Sequence, residues 1–148
     1  MEDTGQGRIL VGVDGSESSI NALRYASTLA EALDASLHVV TTWSFPALVD
    51  YRADMGWSPE ADAAEILESS IATAFEGSPP PDLSTAVLAG PAAPALIEAS
   101  RGAEMLVLGS RGRGGFVGLL LGSVSATCAS HAHCPVLIIR EAPHPAAG

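Results

Sequence analysis

Three short stretches of the chain are almost continuously apolar and rich in β-branched residues: Ile9 to Val13, Met105 to Leu108 and Val136 to Ile139. Uninterrupted runs of this kind predict strands buried on both faces, as in a parallel sheet. Leu37 to Trp43 is a fourth strand of this type and Leu83 to Leu88 a weaker fifth. Between these runs the apolar period changes. Ile20, Leu23, Ala26, Ala30 and Leu33 mark one face of a helix over Ser18 to Leu33. Ile66, Leu67, Ile71 and Phe75 do the same for a helix over Ala61 to Phe75, and Ala95 to Ala99 and Val124 to Ala132 predict two shorter helices. Strand and helix therefore alternate along the chain. The pattern predicts an α/β fold: an open, doubly wound parallel sheet with helices on both faces and right-handed crossovers.

Nothing divides that alternation in two. The 148 residues suit one compact domain, which buries roughly 70% of its unfolded surface at this size. The expectation is one domain over residues 1–148, with an ordered core from about 8 to 140 and a fraying tail over 141–148. Gly77 to Pro81 reads as a stiff connection. Ser44 to Ser58, with Phe45, Tyr51 and Trp57, reads as a longer irregular loop near one edge of the sheet. There is no internal repeat at a solenoid period.

Charge narrows the partners. Seventeen acidic residues face seven basic ones, a formal net charge of −10, and all seven bases are arginine. Such a chain lacks the phosphate-neutralising surface that nucleic-acid binding requires, and anionic membranes are disfavoured for the same reason. Without lysine there is no Walker-type phosphate loop. The densest charge-free apolar patch, Phe116 to Val124, falls far short of the roughly 20 residues of a membrane span. Met1 to Arg8 is polar and acidic, unlike a signal peptide. Cys128 and Cys134 form neither a disulfide framework nor a CxxC motif. A reducing, cytoplasmic setting with no membrane and no nucleic acid is expected.

The richest chemistry follows the strand ending at Leu108, in Gly109-Ser110-Arg111-Gly112-Arg113-Gly114-Gly115. Glycines at a strand end let the backbone approach a ligand with no Cβ in the way. Successive amides in such a loop form an anion-binding concavity. Gly122, Ser123 and Val124 then present the N–H groups of a helix start, with Ser123 as N-cap or phosphate ligand. Two of the seven cations, Arg111 and Arg113, lie in the same loop. Tight packing alone accounts for such glycines about as often as ligand binding does.

The spacing Gly, two residues, Gly, nine residues, Gly-Ser stands here as Gly109, Gly112, Gly122 and Ser123. It resembles the nucleotide-phosphate motif of ATP-binding universal stress proteins. Ile9 to Ser16 is similar to that family's opening strand and turn, Leu37 to Val40 to its second strand, and Cys134 to Ile139 to its closing strand. Gly90-Pro91-Ala92 matches a later landmark, and the likeness runs from about Arg8 to Arg140. It implies an adenine nucleotide alpha hydrolase-like sheet in the order 3-2-1-4-5, reversing between the first and fourth strands, where such sheets bind ligands. By the same resemblance, Gly12, Val13, Asp14 and Val39 line an adenosine pocket, with Val39 on the adenine. Leu108, Gly109, Arg111, Gly112 and Arg113 begin the phosphate cradle, and Gly122, Ser123, Val124 and Ser125 close it. Asp14 would reach the ribose or a magnesium ion carried in with ATP. The implied cofactor is thus ATP, with magnesium, and the implied assembly is a homodimer through the last strand, Val136 to Ile139.

The function expected is nucleotide-dependent regulation in a stress response. Bound phosphates would order the loop from Arg111 to Leu121 and change the surface met by a regulatory protein partner. Slow ATP hydrolysis, binding of AMP or cyclic AMP, and a nucleotide-free dimeric scaffold are the alternatives. No dedicated catalytic motif appears: there is no Gly-x-Ser-x-Gly elbow, and Ser16-Glu17-Ser18-Ser19 has no histidine poised beside it in sequence. Asp14 or Ser16 also suits a helix cap. His38 reads as packed or edge-facing within its strand, and His131, His133, Cys134 and Cys128 match no standard zinc spacing.

Overall fold

The computed structural model describes residues 7–44, 58–111 and 121–140. The apolar runs form five strands: β1 (Arg8–Gly12), β2 (Ser36–Trp43), β3 (Leu83–Ala89), β4 (Met105–Gly109) and β5 (Val136–Ile139). They alternate with α1 (Glu17–Leu33), α2 (Pro59–Phe75), α3 (Ala92–Ala99) and α4 (Ser123–His131). All strand pairs are parallel, in the order β3-β2-β1-β4-β5. Helix α3 starts three residues before its apolar pattern does, at Ala92 behind the N-cap Pro91. The expected loop over Ser44 to Ser58 and the expected tail over 141–148 fall almost wholly outside the described residues.

Consecutive strand side chains point to opposite faces, so an unbroken apolar run serves two cores at once. Ile9, Val11, Leu37, Val39 and Val107 pack with Ala22, Leu23, Ala26 and Ala30 of α1 and Leu67 of α2. On the other face, Leu10, Val40, Leu106 and Leu108 pack with Leu96 of α3 and Cys128 of α4. Ile9, Leu10 and Val11 expose none of their surface. Each such side chain contributes about 1.5–3 kcal/mol of burial free energy. Cys128 and Cys134 are free thiols, and burial raises the pKa of both, which suits core packing better than reactivity.

Helix α2 is closed at both ends. Ser58 caps α2, its Oγ accepting the Ala61 N–H at 3.1 Å, with Pro59 at the first helical position. At the other end, Arg24 of α1 donates to the carbonyls of Thr73 and Ala74 at 3.3 and 3.4 Å, a cation on a helix C-terminus that carries no base of its own. Strands β3 and β5 are the two edges of the sheet.

Candidate functional site

Strands β1 and β4 are neighbours, and each hands its chain to a helix at its carboxyl end. The strand order reverses between them, the place where open α/β sheets take ligands. The two junctions are built differently.

At the first junction, Val13 extends the sheet ladder by donating its N–H to the Val40 carbonyl at 2.9 Å. Asp14 accepts the Ser16 N–H on Oδ1 at 2.9 Å, while its own N–H reaches Ser19 Oγ at 3.2 Å. Ser16 is the N-cap of α1: its Oγ accepts the Ser19 N–H at 3.2 Å, and Ser19 Oγ returns a bond to the Ser16 carbonyl at 2.9 Å. The Asp14 carboxylate thus lies at a positive helix end, where a negative charge is favoured. Of the two cap candidates in the sequence, Ser16 is the one used.

At the second junction, backbone carbonyls do the fastening. Gly109 accepts a 2.7 Å bond from the buried Ser125 hydroxyl, and the Ser110 carbonyl accepts the Gly122 N–H at 2.7 Å. Ser110 in turn donates its N–H to Ile139 of β5 at 2.9 Å. The start of α4 is thereby fixed against the ends of β4 and β5. Gly122 is the N-cap of α4, and among the described residues no side chain caps the helix. Ser123 is the first helical residue rather than the cap, because Gly122 already holds the extended cap conformation at φ −72° and ψ 169°. Its side chain is exposed, and Val124 is half-buried behind it. Ser125 spends its hydroxyl on the fold. Its only proton is held by the Gly109 carbonyl, so an anion can meet the Ser125 backbone N–H but not the hydroxyl hydrogen.

Two of the glycines also have a packing role. A Cβ on Gly109 would lie 2.7 Å from the Ser18 carbonyl oxygen and 2.8 Å from its carbon, and would also strike Ser18 Oγ. The missing side chain makes room for the first turn of α1. A Cβ on Gly12 would meet the methyl ends of Leu108 and Leu96 at 3.0 and 3.1 Å, inside the core on the α3 side. Close packing accounts for a glycine at both positions. Val39 is likewise sealed, with no exposed surface, among Ile9, Val11 and Leu37. Arg111 is half-buried, and its N–H makes a long bond of 3.4 Å to Ser18 Oγ. Gly112 and Arg113 lie outside the described residues.

Ser18 and Ser19 stand out in the sequence only as part of a serine-rich stretch, not as residues that join the two junctions. They are buried and tie α1 to both strand ends, through Arg111 and Asp14 respectively. The available signal was the density of serines at a helix start, which favours caps and backbone bonds over nucleophiles. Among the described residues no three His, Cys, Asp or Glu side chains gather as a metal site, and no helix is long and apolar enough to cross a membrane.

Fold and junctions together define an open, doubly wound α/β protein whose strand order reverses between β1 and β4. Comparison with known proteins makes the class specific. The profile of the Universal stress protein family matches residues 6–140, and the chain belongs to that family. Universal stress protein Rv1996 of Mycobacterium tuberculosis is 36% identical over an alignment covering 93% of this chain and 49% of that protein. The chain thus spans about half the length of the curated relatives it matches. Among solved structures, universal stress protein UspA from Lactobacillus plantarum superposes with a TM-score of 0.75 at 22% identity, covering 93% of this chain and 100% of that one. A universal stress protein in complex with cAMP superposes with a TM-score of 0.69 at 28% identity, covering 92% and 98%.

Proposed function

We propose that this chain is an ATP-binding regulatory module of the stress response, with the nucleotide phosphates taken at the start of α4. The observation that carries the reading is the uncapped α4 N-terminus, pinned at Gly109 and Ser110 beside the strand reversal. Free backbone N–H groups and the positive helix end suit a phosphate. The N–H groups of Ser123, Val124 and Ser125 and the Ser123 hydroxyl are the donors. Arg111, with Gly112 and Arg113 in the same loop, supplies positive charge in a chain of net charge −10. Gly12, Val13, Leu108 and Gly109 serve this pocket through backbone and packing, and Val39 backs it from the core.

Magnesium, if carried by ATP, would be met by Asp14, whose carboxylate already accepts the Ser16 N–H. Its chemistry would be charge neutralisation on the phosphates. Binding would act by population shift, changing the surface offered to a regulatory protein partner. Residues 1–148 form a single domain in this reading. Its uncovered β5 edge, four half-buried apolar residues, pairs with β5 of a second copy in a homodimer, and the setting is cytoplasmic.

Ser123→Ala tests the site. The side chain is exposed and removes a bond to a charged group, so ATP affinity should fall about tenfold or more, corresponding to roughly 1.5–3 kcal/mol. Calorimetric titration with ATP reads it, and unchanged affinity sinks the assignment. One second reading has its own support: the relative in complex with cAMP, at 28% identity, favours a cyclic nucleotide. Titrating both ligands into the same preparation decides between them.

A further inference from the structure

Away from the strand ends, Arg8, His38 and Ser84 stand on adjacent strands, β1, β2 and β3, on the face that α3 covers in part. His38 and Ser84 are direct partners in the sheet register, and His38 Nδ1 lies 2.6 Å from Ser84 Oγ. Ser84 is exposed and His38 half-buried, so a reagent can reach the hydroxyl while the ring is held in place. Burial first, and the Arg8 charge second, push the His38 pKa below 6.5, leaving a neutral ring able to accept a proton near pH 7. Arg8 donates from one terminal nitrogen to the Ala99 carbonyl at 3.4 Å, while its buried Nε has no hydrogen-bond partner. The fold leaves that donor unused.

We propose that Ser84 is a nucleophilic hydroxyl, with His38 as its base and Arg8, on the far side of that histidine, as the nearby positive charge, that accepts an acyl group from an activated anionic donor of the acyl phosphate class. Ser84 Oγ bonds to the acyl carbon as its proton passes to His38 Nδ1. The bond from that carbon to the phosphate oxygen breaks, and His38 returns the proton to the departing phosphate. The product is an O-acylated Ser84 and free phosphate. An anionic donor and an anionic leaving group both suit the neighbourhood of Arg8, one of only seven cations in the chain.

Acetyl phosphate is the probe, and peptide mapping by mass spectrometry is the readout. The chain contains no lysine, which removes the usual competing acceptor. Ser69 and Ser130, exposed and without a histidine partner among the described residues, are internal controls. Ser84 should be acetylated roughly tenfold or more faster than either, and His38→Gln should remove that advantage. Ser84→Ala, at an exposed position, should eliminate the modified peptide with the fold intact by circular dichroism. Acetylation of Ser84 no faster than Ser69, or at an unchanged rate in His38→Gln, overturns the proposal. The wild-type ratio stands as a test even if His38→Gln folds poorly, and it is independent of nucleotide binding.

Discussion

The junctions after β1 and β4 do the same topological job with opposite chemistry. After β1, Asp14, Ser16 and Ser19 use side chains to satisfy the turn and the first turn of α1. After β4, the carbonyls of Gly109 and Ser110 hold α4 from behind, and its leading N–H groups receive no side-chain cap. One junction is closed upon itself and stabilises the fold. The other is braced by strand-end carbonyls, with no side-chain cap among the described residues. A helix start supported in this way keeps its own donors for the phosphates of the proposed site.

The strongest way to break this contrast is at the place where the junctions touch. Gly109→Ala drives a methyl group into the Ser18 backbone, which cannot step aside as a side-chain tip can. The expected loss is about 3 kcal/mol. Thermal denaturation should show it as a drop of roughly 10 °C in Tm. Next comes the brace itself. Ser125→Ala removes the buried bond to the Gly109 carbonyl and should cost about 2 kcal/mol in urea unfolding, with ATP affinity falling as the helix start loosens. Ser16→Ala removes the cap of α1 and should cost about 1 kcal/mol while leaving ATP affinity unchanged.

Ser123→Ala sharpens the contrast from the other side. Without nucleotide it should shift stability by less than about 0.5 kcal/mol, so its effect on ATP binding is separable from folding. The smallest effect is far from both junctions. The His38 pKa lies below its unfolded value of 6.5, so the neutral ring favours the folded state. That contribution is complete above about pH 6.5 and is lost as pH falls through the folded pKa, because the unfolded chain takes up the proton first. His38→Gln should therefore lose less Tm than the parent between about pH 7 and pH 5.

The elements were legible because their periods are local. The runs Ile9 to Val13 and Met105 to Leu108 can only be buried on both sides, and the structure divides their side chains between two cores. Strand order is not local; it came through the family resemblance, since alternation alone leaves the winding open. At the site, glycine at 109 signalled a close approach but not of what. The answer is Ser18, a contact between positions some ninety residues apart that no spacing rule registers. The same holds for Ser125, whose hydroxyl reads as a phosphate ligand until the Gly109 carbonyl is seen 2.7 Å away.

The bond from Gly122 to the Ser110 carbonyl carries a consequence for evolution and for engineering. It holds the two ends of residues 111–121 together from inside the fold, as a clasp holds the ends of a cord. Once ends are so held, the entropy of the connecting chain grows only with the logarithm of its length, about 0.6 kcal/mol for each doubling. By that measure, a change in the number of residues between Ser110 and Gly122 alters the cost of closure only slightly, and the clasp itself lies in the described part of the fold.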